Sequence, residues 1–248
     1  MIENILKNKN VLITGAGKGI GKQLVIDCVE AGAFVYCLIK TKSDNSKFTD
    51  LPNIKIFNGD VNNLKILKSI FKYSLNNKKL INCIVNNAGQ RQRKKFIDIT
   101  KNDLKKIFDT NFFSIFYLLQ LYLKYIQTNK INSSVVNLGS IVGKLGFNDL
   151  SGYSATKSAL EGLTKSLVHD FSKRSSRINI VHPGFTKTSF YDKFKENKKL
   201  YKWTLSRTPL SKWAEPNDIS SLIIFLLSDY SKFITGESIA IDGGWSNT

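Results

Sequence analysis

Three observations predict a doubly wound α/β fold built on a seven-stranded parallel sheet. Seven short apolar runs alternate with longer amphipathic stretches. The runs are continuous instead of alternating, as strands buried on both faces require. The first run leads through a Gly-rich turn straight into a helical stretch, the start of a dinucleotide-type βαβ unit. Parallel neighbours need crossover connections, and right-handed crossovers place helices on both faces of the sheet. The chain has 248 residues, 42% of them hydrophobic, with only 4 prolines. That is enough for one substantial core. No linker, repeat or low-complexity segment divides it, so residues 1–248 are read as one domain whose ligand crevice lies at the carboxyl ends of the strands.

The first strand, 11–13, runs into Thr14-Gly15-Ala16-Gly17-Lys18-Gly19-Ile20-Gly21 and a helix over 20–31. Backbone N–H groups and the helix dipole at such a start hold a pyrophosphate, and glycines let the backbone approach it. The spacing is G-x-x-x-G-x-G, since Ile20 fails the last position of G-x-G-x-x-G counted from Gly15. The second strand, 34–39, ends in Leu38-Ile39-Lys40. The third, 54–57, is followed by Asp60, which faces the same crevice and suits an adenine amino group; alone it reads as a cap on the helix over 62–76. The fourth, 80–85, enters Asn86-Asn87-Ala88-Gly89 beside the first turn, a tetrapeptide that in isolation is an ordinary loop. After a helix over 101–128 comes the fifth strand, 135–138, ending in Gly139-Ser140, where a hydroxyl can reach a reacting carbonyl. Tyr153-Ser154-Ala155-Thr156-Lys157 opens a helix over 153–174 and sets Tyr153 and Lys157 on one face. A cation so placed favours tyrosinate and lowers a phenol pKa that starts near ~10, which makes Tyr153 a workable acid or base. The sixth strand, 178–181, a helix over 217–228 and the seventh strand, 238–241, complete the pattern.

With these motifs together, the sequence resembles the classical short-chain dehydrogenase/reductase family over essentially its whole length. TGAGKGIG matches the family's TGxxxGxG cofactor turn, including Gly15, Lys18, Gly19, Ile20 and Gly21; Asp60-Val61 matches its adenine contact, and Asn87, Ala88 and Gly89 belong to its NNAG motif. Ser140, Tyr153 and Lys157 match its catalytic trio, and Asn111 matches the Asn whose helix kink holds a water on the catalytic Lys. Pro183, Gly184, Thr186 and Thr188 match the segment that binds the nicotinamide carboxamide, and Ile234-Thr235-Gly236-Glu237 through Asp242-Gly243-Gly244 the C-terminal signature. The resemblance implies a nicotinamide-dependent oxidoreductase acting on a carbonyl or secondary alcohol. In it Tyr153 exchanges the proton, Lys157 lowers its pKa and holds the ribose, Ser140 orients the carbonyl, and Asn111 supports a proton relay. The implied substrates include 3-oxoacyl groups on an acyl carrier protein, with Arg174 at a position where such reductases carry a basic carrier contact; sugars and polyols fit the same motifs. It also implies a homo-oligomer, tetramer or dimer, built through the helices near 101–128 and 153–174. A reading from another class is a non-catalytic dinucleotide-binding regulator, for which the retention of Ser140, Tyr153, Lys157 and Asn111 together has no evident use.

Cofactor choice follows from the second strand. An NAD site carries an acidic residue at its end for the ribose 2′-hydroxyl, whereas Ile39 stands there, with Lys40 beside it and Lys18 in the turn. Both cations suit a 2′-phosphate, so NADP(H) is expected over NAD(H). The net charge of +18, from 37 basic and 19 acidic residues, raises nucleic-acid binding as an alternative. Only Arg91, Arg93, Arg174, Arg177 and Arg207 are Arg, and the lysines are spread along the chain. A reader of bases and phosphates favours Arg forks, so nucleic acid is not an expected partner. The longest apolar run, 222–227, is too short to span a membrane, and the start lacks an apolar signal core; a cytoplasmic protein is expected. Cys28, Cys37 and Cys83 form no CxxC pair and are read as buried small side chains, with no metal site. Gln90-Arg91-Gln92-Arg93-Lys94-Lys95 puts a basic loop where the family usually has an apolar residue. Segment 186–203 reads as a substrate lid, with lysines 187, 193, 195, 198, 199 and 202 above an apolar underside of Phe190, Tyr191, Phe194, Leu200, Tyr201 and Trp203. If lid and loop face one mouth, the substrate is anionic or carried on an acidic partner; otherwise the lysines are a solvated surface.

Overall fold

The computed structural model describes residues 4–173, 175–189 and 191–247; Arg174, Phe190 and the Lys193 side chain, all invoked above, lie outside the described residues. Seven strands, β1 (Asn10–Thr14), β2 (Phe34–Ile39), β3 (Ile54–Asn58), β4 (Cys83–Asn86), β5 (Ser134–Leu138), β6 (Arg177–Pro183) and β7 (Ser238–Ile241), form one sheet in the order β3-β2-β1-β4-β5-β6-β7. Every neighbouring pair is parallel. The helices are α1 (Gly19–Glu30), α2 (Leu64–Asn76), α3 (Lys101–Phe108), α4 (Ser114–Asn129), α5 (Ile141–Leu145), α6 (Ser151–Ser166), α7 (Val168–Ser172), α8 (Tyr191–Glu196), α9 (Lys198–Ser206) and α10 (Pro216–Leu227). None is long and apolar enough to cross a membrane among the described residues.

β1 shows how the apolar runs serve two faces. Val11 and Ile13 pack with Leu24 and Val25 of α1 and Ile223 and Leu227 of α10. Leu12, between them, joins the opposite layer with Leu67 of α2, Leu118 of α4 and Leu160 of α6. Strand order reverses between β1 and β4, and a crevice opens at the carboxyl ends on either side of that point.

Four boundaries differ from the sequence expectation. β4 begins at Cys83 and not at Leu80, because its partner β1 begins at Asn10; the Asn10 side chain instead donates to the Leu80 carbonyl at 2.9 Å. The helix near 101–128 is broken by a π-helical turn over Asp109–Phe113, and π-bulges concentrate at functional sites. The helix near 153–174 starts at Ser151 and is interrupted at Leu167. The 186–203 segment is two short helices, separated by Asn197, whose side chain accepts from the Leu200 amide at 3.0 Å.

Candidate active site

The crevice is a cavity of about 630 Å³, within the range of small-ligand and cofactor sites. Its floor is the turn after β1. Gly15 has φ +65°, and a Cβ there would lie 2.8 Å from the Ala88 Cα; a Cβ on Gly21 would lie 2.3 Å from the Gly15 carbonyl oxygen. Only glycine lets the turn pack this closely against Ala88 and the start of α1. The NNAG segment fixes the same turn. Asn87 donates its side-chain amide to the carbonyls of Thr14 and Gly15 at 3.0 Å each, and the backbone amides of Asn87 and Ala88 both donate to the Thr14 hydroxyl at 3.1 Å. The donor-rich cradle and the room above it fit a dinucleotide.

At the far end, Lys40 pairs with Asp60 at 2.7 Å across the ends of β2 and β3, and both line the cavity. Burial pushes the Asp60 carboxyl up, but Lys40 and the Asn62 amide outweigh it and hold the group below its ordinary value. Asp44 also lines this end, and Lys47 pairs with it at 2.6 Å while donating to the Gly17 carbonyl at 3.0 Å. Sequence reasoning missed Asp44 and Lys47, which sit on a short 3-10 turn with no strand or helix periodicity to mark them.

The catalytic candidates converge at the end of β5. Ser140 caps α5, its Oγ accepting from the Val142 amide at 3.2 Å, and it lines the cavity beside Tyr153. Behind it stands the fully buried His182, with Nδ1 3.0 Å from the Ser140 carbonyl oxygen and Nε2 3.0 Å from the Ser238 hydroxyl. His182 thereby ties the end of β5 to β7; the sequence marks it only as the residue before Pro183-Gly184. Lys157 is buried and donates to the Leu138 carbonyl at 2.5 Å, and burial pushes its pKa down to about 8. Its Nζ lies 5.8 Å from the Tyr153 ring centre, so the shared helix face is as expected. The expected lowering of the Tyr153 pKa by Lys157 is not what the geometry gives. Burial raises the Tyr153 phenol, and the groups opposing that rise are Ser140 and the Arg91 guanidinium.

Of the site residues predicted, Gly21 and Asn111 do not line the cavity, whereas Gly15, Lys18, Gly19, Ile20, Lys40, Asp60, Val61, Asn87, Ala88, Gly89, Ser140, Tyr153, Lys157, Pro183, Gly184, Thr186 and Thr188 do. Gly21 acts through the turn's closeness. Asn111, on the π turn and fully buried, accepts from the Gln90 amide at 2.7 Å and donates to the Gln90 carbonyl at 2.8 Å and to Thr156 at 3.2 Å. Its side chain is a clamp on the loop after Gly89. Phe147, Phe185 and Trp213 form an aromatic wall that sequence reasoning missed. Trp213 arrives through a bridge between Thr186 and Ala214, a contact across 28 residues that no local pattern reveals. The α8–α9 segment packs Tyr191, Phe194 and Tyr201 around Trp213, with ring centres 5.2, 4.9 and 5.8 Å away. None of Lys187, Lys195, Lys198, Lys199 and Lys202 lines the cavity, and Lys187 pairs with Glu215. These lid lysines are therefore not part of the cavity lining.

A family profile described as Enoyl-(Acyl carrier protein) reductase matches residues 15–246. The chain belongs to the classical short-chain dehydrogenase/reductase family. Within the family it is 31% identical to a tropinone reductase homolog of Arabidopsis thaliana over 97% of this chain and 93% of that protein. It is also 31% identical to a 3-oxoacyl-[acyl-carrier-protein] reductase of Thermotoga maritima, over 96% of this chain and 98% of that one. The solved structure of 4-hydroxyisoleucine dehydrogenase complexed with NADH superposes with a TM-score of 0.90 at 30% identity, covering 97% of this chain and 99% of the other. Short-chain dehydrogenase/reductase membership carries the class of chemistry, nicotinamide-dependent interconversion of carbonyls and alcohols.

Proposed function

We propose that this short-chain dehydrogenase/reductase uses NADP(H) to interconvert a carbonyl compound and its secondary alcohol, with Tyr153 as the proton donor and acceptor. The observation that carries the reading is the meeting of Ser140, Tyr153 and Lys157 on one cavity, with the Ser140 hydroxyl opposing the rise of the Tyr153 phenol pKa. A bound nicotinamide supplies or takes the hydride. In reduction, Tyr153 gives its proton to the carbonyl oxygen as charge develops there, and Ser140 donates a hydrogen bond to the same oxygen. Lys157, held on the Leu138 carbonyl with its Nζ 5.8 Å from the Tyr153 ring centre, would hold the nicotinamide ribose, while Ser140 and Arg91 are the groups that favour the tyrosinate left behind. Asn111 holds the backbone of Gln90 and the position of Thr156, and by the family resemblance it is the residue that would support the proton relay.

Lys18 and Lys40 at the far end support NADP(H) over NAD(H), and the last residue of β2 is the buried Ile39 and not an acidic residue. Lys40 has to exchange Asp60 for a 2′-phosphate, a small change for an ammonium 68% exposed. The carbonyl substrate is anionic or carrier-linked, 3-oxoacyl-carrier reduction being one reading and sugar or polyol dehydrogenation the other. The ring contacts of Tyr191 and Phe194 with Trp213, itself a lining residue, support the reading of the α8–α9 segment as a substrate lid. The test is NADPH oxidation with a panel of carbonyl compounds, with Tyr153→Phe as the control. The variant keeps the ring and loses the proton, so turnover should fall at least about a hundredfold while NADPH still binds. Near-full turnover by Tyr153→Phe would sink the assignment.

A further inference from the structure

The catalytic end of the cavity holds a cation that the mechanism does not use. Arg91, two residues beyond Gly89, lines the cavity together with Ser140, Tyr153 and Phe147. Its guanidinium is close enough to Tyr153 to oppose the rise of the phenol pKa. The loop that carries it is anchored on both sides. Asn111 clamps Gln90 with two hydrogen bonds of 2.7 and 2.8 Å, and the Lys94 amide donates to the Asp149 carbonyl at 2.8 Å.

Two other basic residues of the loop pair with carboxylates outside the cavity lining. Arg93 lies 3.9 Å from Asp149, and Lys94 lies 2.6 Å from Asp103. From the basic run Gln90 to Lys95, Arg91 is thus the cation brought into the cavity lining. The lining carboxylates, Asp44 and Asp60, stand at the opposite end, beyond β2 and β3. The reacting end therefore combines the cations Lys157 and Arg91 with an aromatic wall of Phe147, Phe185 and Trp213.

We propose that Arg91 is the specificity-determining residue of this site, and that the preferred substrate carries an oxyanion within a few bonds of its reacting carbonyl, next to a small apolar arm. The inference rests on the oxidoreductase reading above and narrows it. A planar guanidinium grips a carboxylate or phosphate through two parallel hydrogen bonds, which fixes orientation as well as adding affinity. With the carbonyl on Tyr153 and Ser140 and the oxyanion on Arg91, the remaining arm meets Phe147 and Trp213. A carrier-linked acyl chain, whose charges belong to the carrier outside the cavity, does not make that contact. Oxo acids and hydroxy acids, or their phosphorylated counterparts, do.

The experiment compares three matched series, an oxo acid, its neutral amide and its phosphonate, on the wild type, Arg91→Gln and Arg91→Lys, each with saturating NADPH. The wild type should prefer the oxo acid to the amide in kcat/KM, and a phosphonate preferred over both would name phosphate as the natural oxyanion. In Arg91→Gln, kcat/KM for the acid should fall about tenfold to a hundredfold, the loss of a charge-assisted pair, mostly through KM. The amide should change less than about threefold, Arg91→Lys should recover part of the loss, and NADPH affinity should hold. Because the acid-to-amide ratio is read within one preparation, partial misfolding does not imitate the effect. An equal loss for acid and amide in Arg91→Gln overturns the proposal and makes Arg91 a residue acting through Tyr153. Equal use of acid and amide by the wild type overturns it while leaving the oxidoreductase reading intact; turnover of neither beside turnover of another carbonyl of the panel does the same, and turnover of no carbonyl overturns both.

Discussion

Lys157 shows how much of the site a residue pattern reveals and where the pattern ends. The four-residue spacing from Tyr153 placed both groups on one helix face, and the structure agrees. What spacing does not encode is the third dimension: the ammonium is buried against the Leu138 carbonyl, because α6 packs across the end of β5. Burial disfavours the charged form and brings its pKa to about 8 from an ordinary value of 10.5. The sign follows from proton counts. Between those two values the unfolded chain binds the proton and the folded one does not, so this residue's contribution to stability improves as pH rises from about 8 to 10.5. Below about 8 its penalty is fully present, on the order of 3 kcal/mol by linkage, before the hydrogen bond to Leu138 is counted. Lys157→Met should therefore raise the melting temperature at pH 7 while abolishing most turnover, and its advantage should shrink as the pH is raised toward 10. A Met variant less stable than the wild type at pH 7 would show that the Leu138 hydrogen bond outweighs desolvation.

At the scale of elements, the turn after β1 was legible because its demand is written in residue types: glycines where the backbone must approach, then a helix start. Its partner was legible only as a motif. That Asn87 and Ala88 fasten to Thr14 and Gly15 depends on β4 lying beside β1, a register fixed by Val11 facing Cys83. The Lys40–Asp60 pair likewise depends on β2 lying against β3 with Ile39 opposite Asn58. The π turn was legible only through the family resemblance, which implies a kink at Asn111, since Phe112 to Leu119 is so rich in apolar residues that no break in helical period shows. The turn also gives a sharp prediction. In Gly21→Ala the new methyl would sit 2.3 Å from the Gly15 carbonyl oxygen and 2.5 Å from the Asn87 side-chain amide, so α1 must move off the turn. Overpacking of this kind costs typically 1–3 kcal/mol, and the displaced amides should weaken NADPH binding at least about tenfold. Isothermal titration of the variant reads this directly, and unchanged affinity would mean that the turn is not the phosphate cradle.

At the scale of the molecule, the lysine excess is distributed charge, with the cavity cations confined to Lys18, Lys40, Arg91 and Lys157. The more informative surface is apolar. Along α3, the π turn and α4, Leu104, Phe113, Phe116 and Tyr117 are each about 40% exposed, from 39% to 45%. Exposed apolar side chains on one stretch of surface are what the expected homo-oligomer would cover. The solvent face of α6 complements it with small residues, Ser151, Ala155, Ser158 and Gly162, which would let another copy's helix approach closely. A homo-oligomer built on these two helices is the arrangement the family resemblance implies, and Gly162 offers a clean test of it. A Cβ there has no heavy atom within 4 Å, so within one protomer the position is open. Replacing a mid-helix glycine also removes a local penalty of about 1 kcal/mol. Gly162→Trp should therefore leave the melting temperature of the isolated protomer unharmed while its bulk holds a facing helix away. Light scattering should then give a smaller particle for the variant than for the wild type, and an unchanged mass would show that α6 does not face another copy.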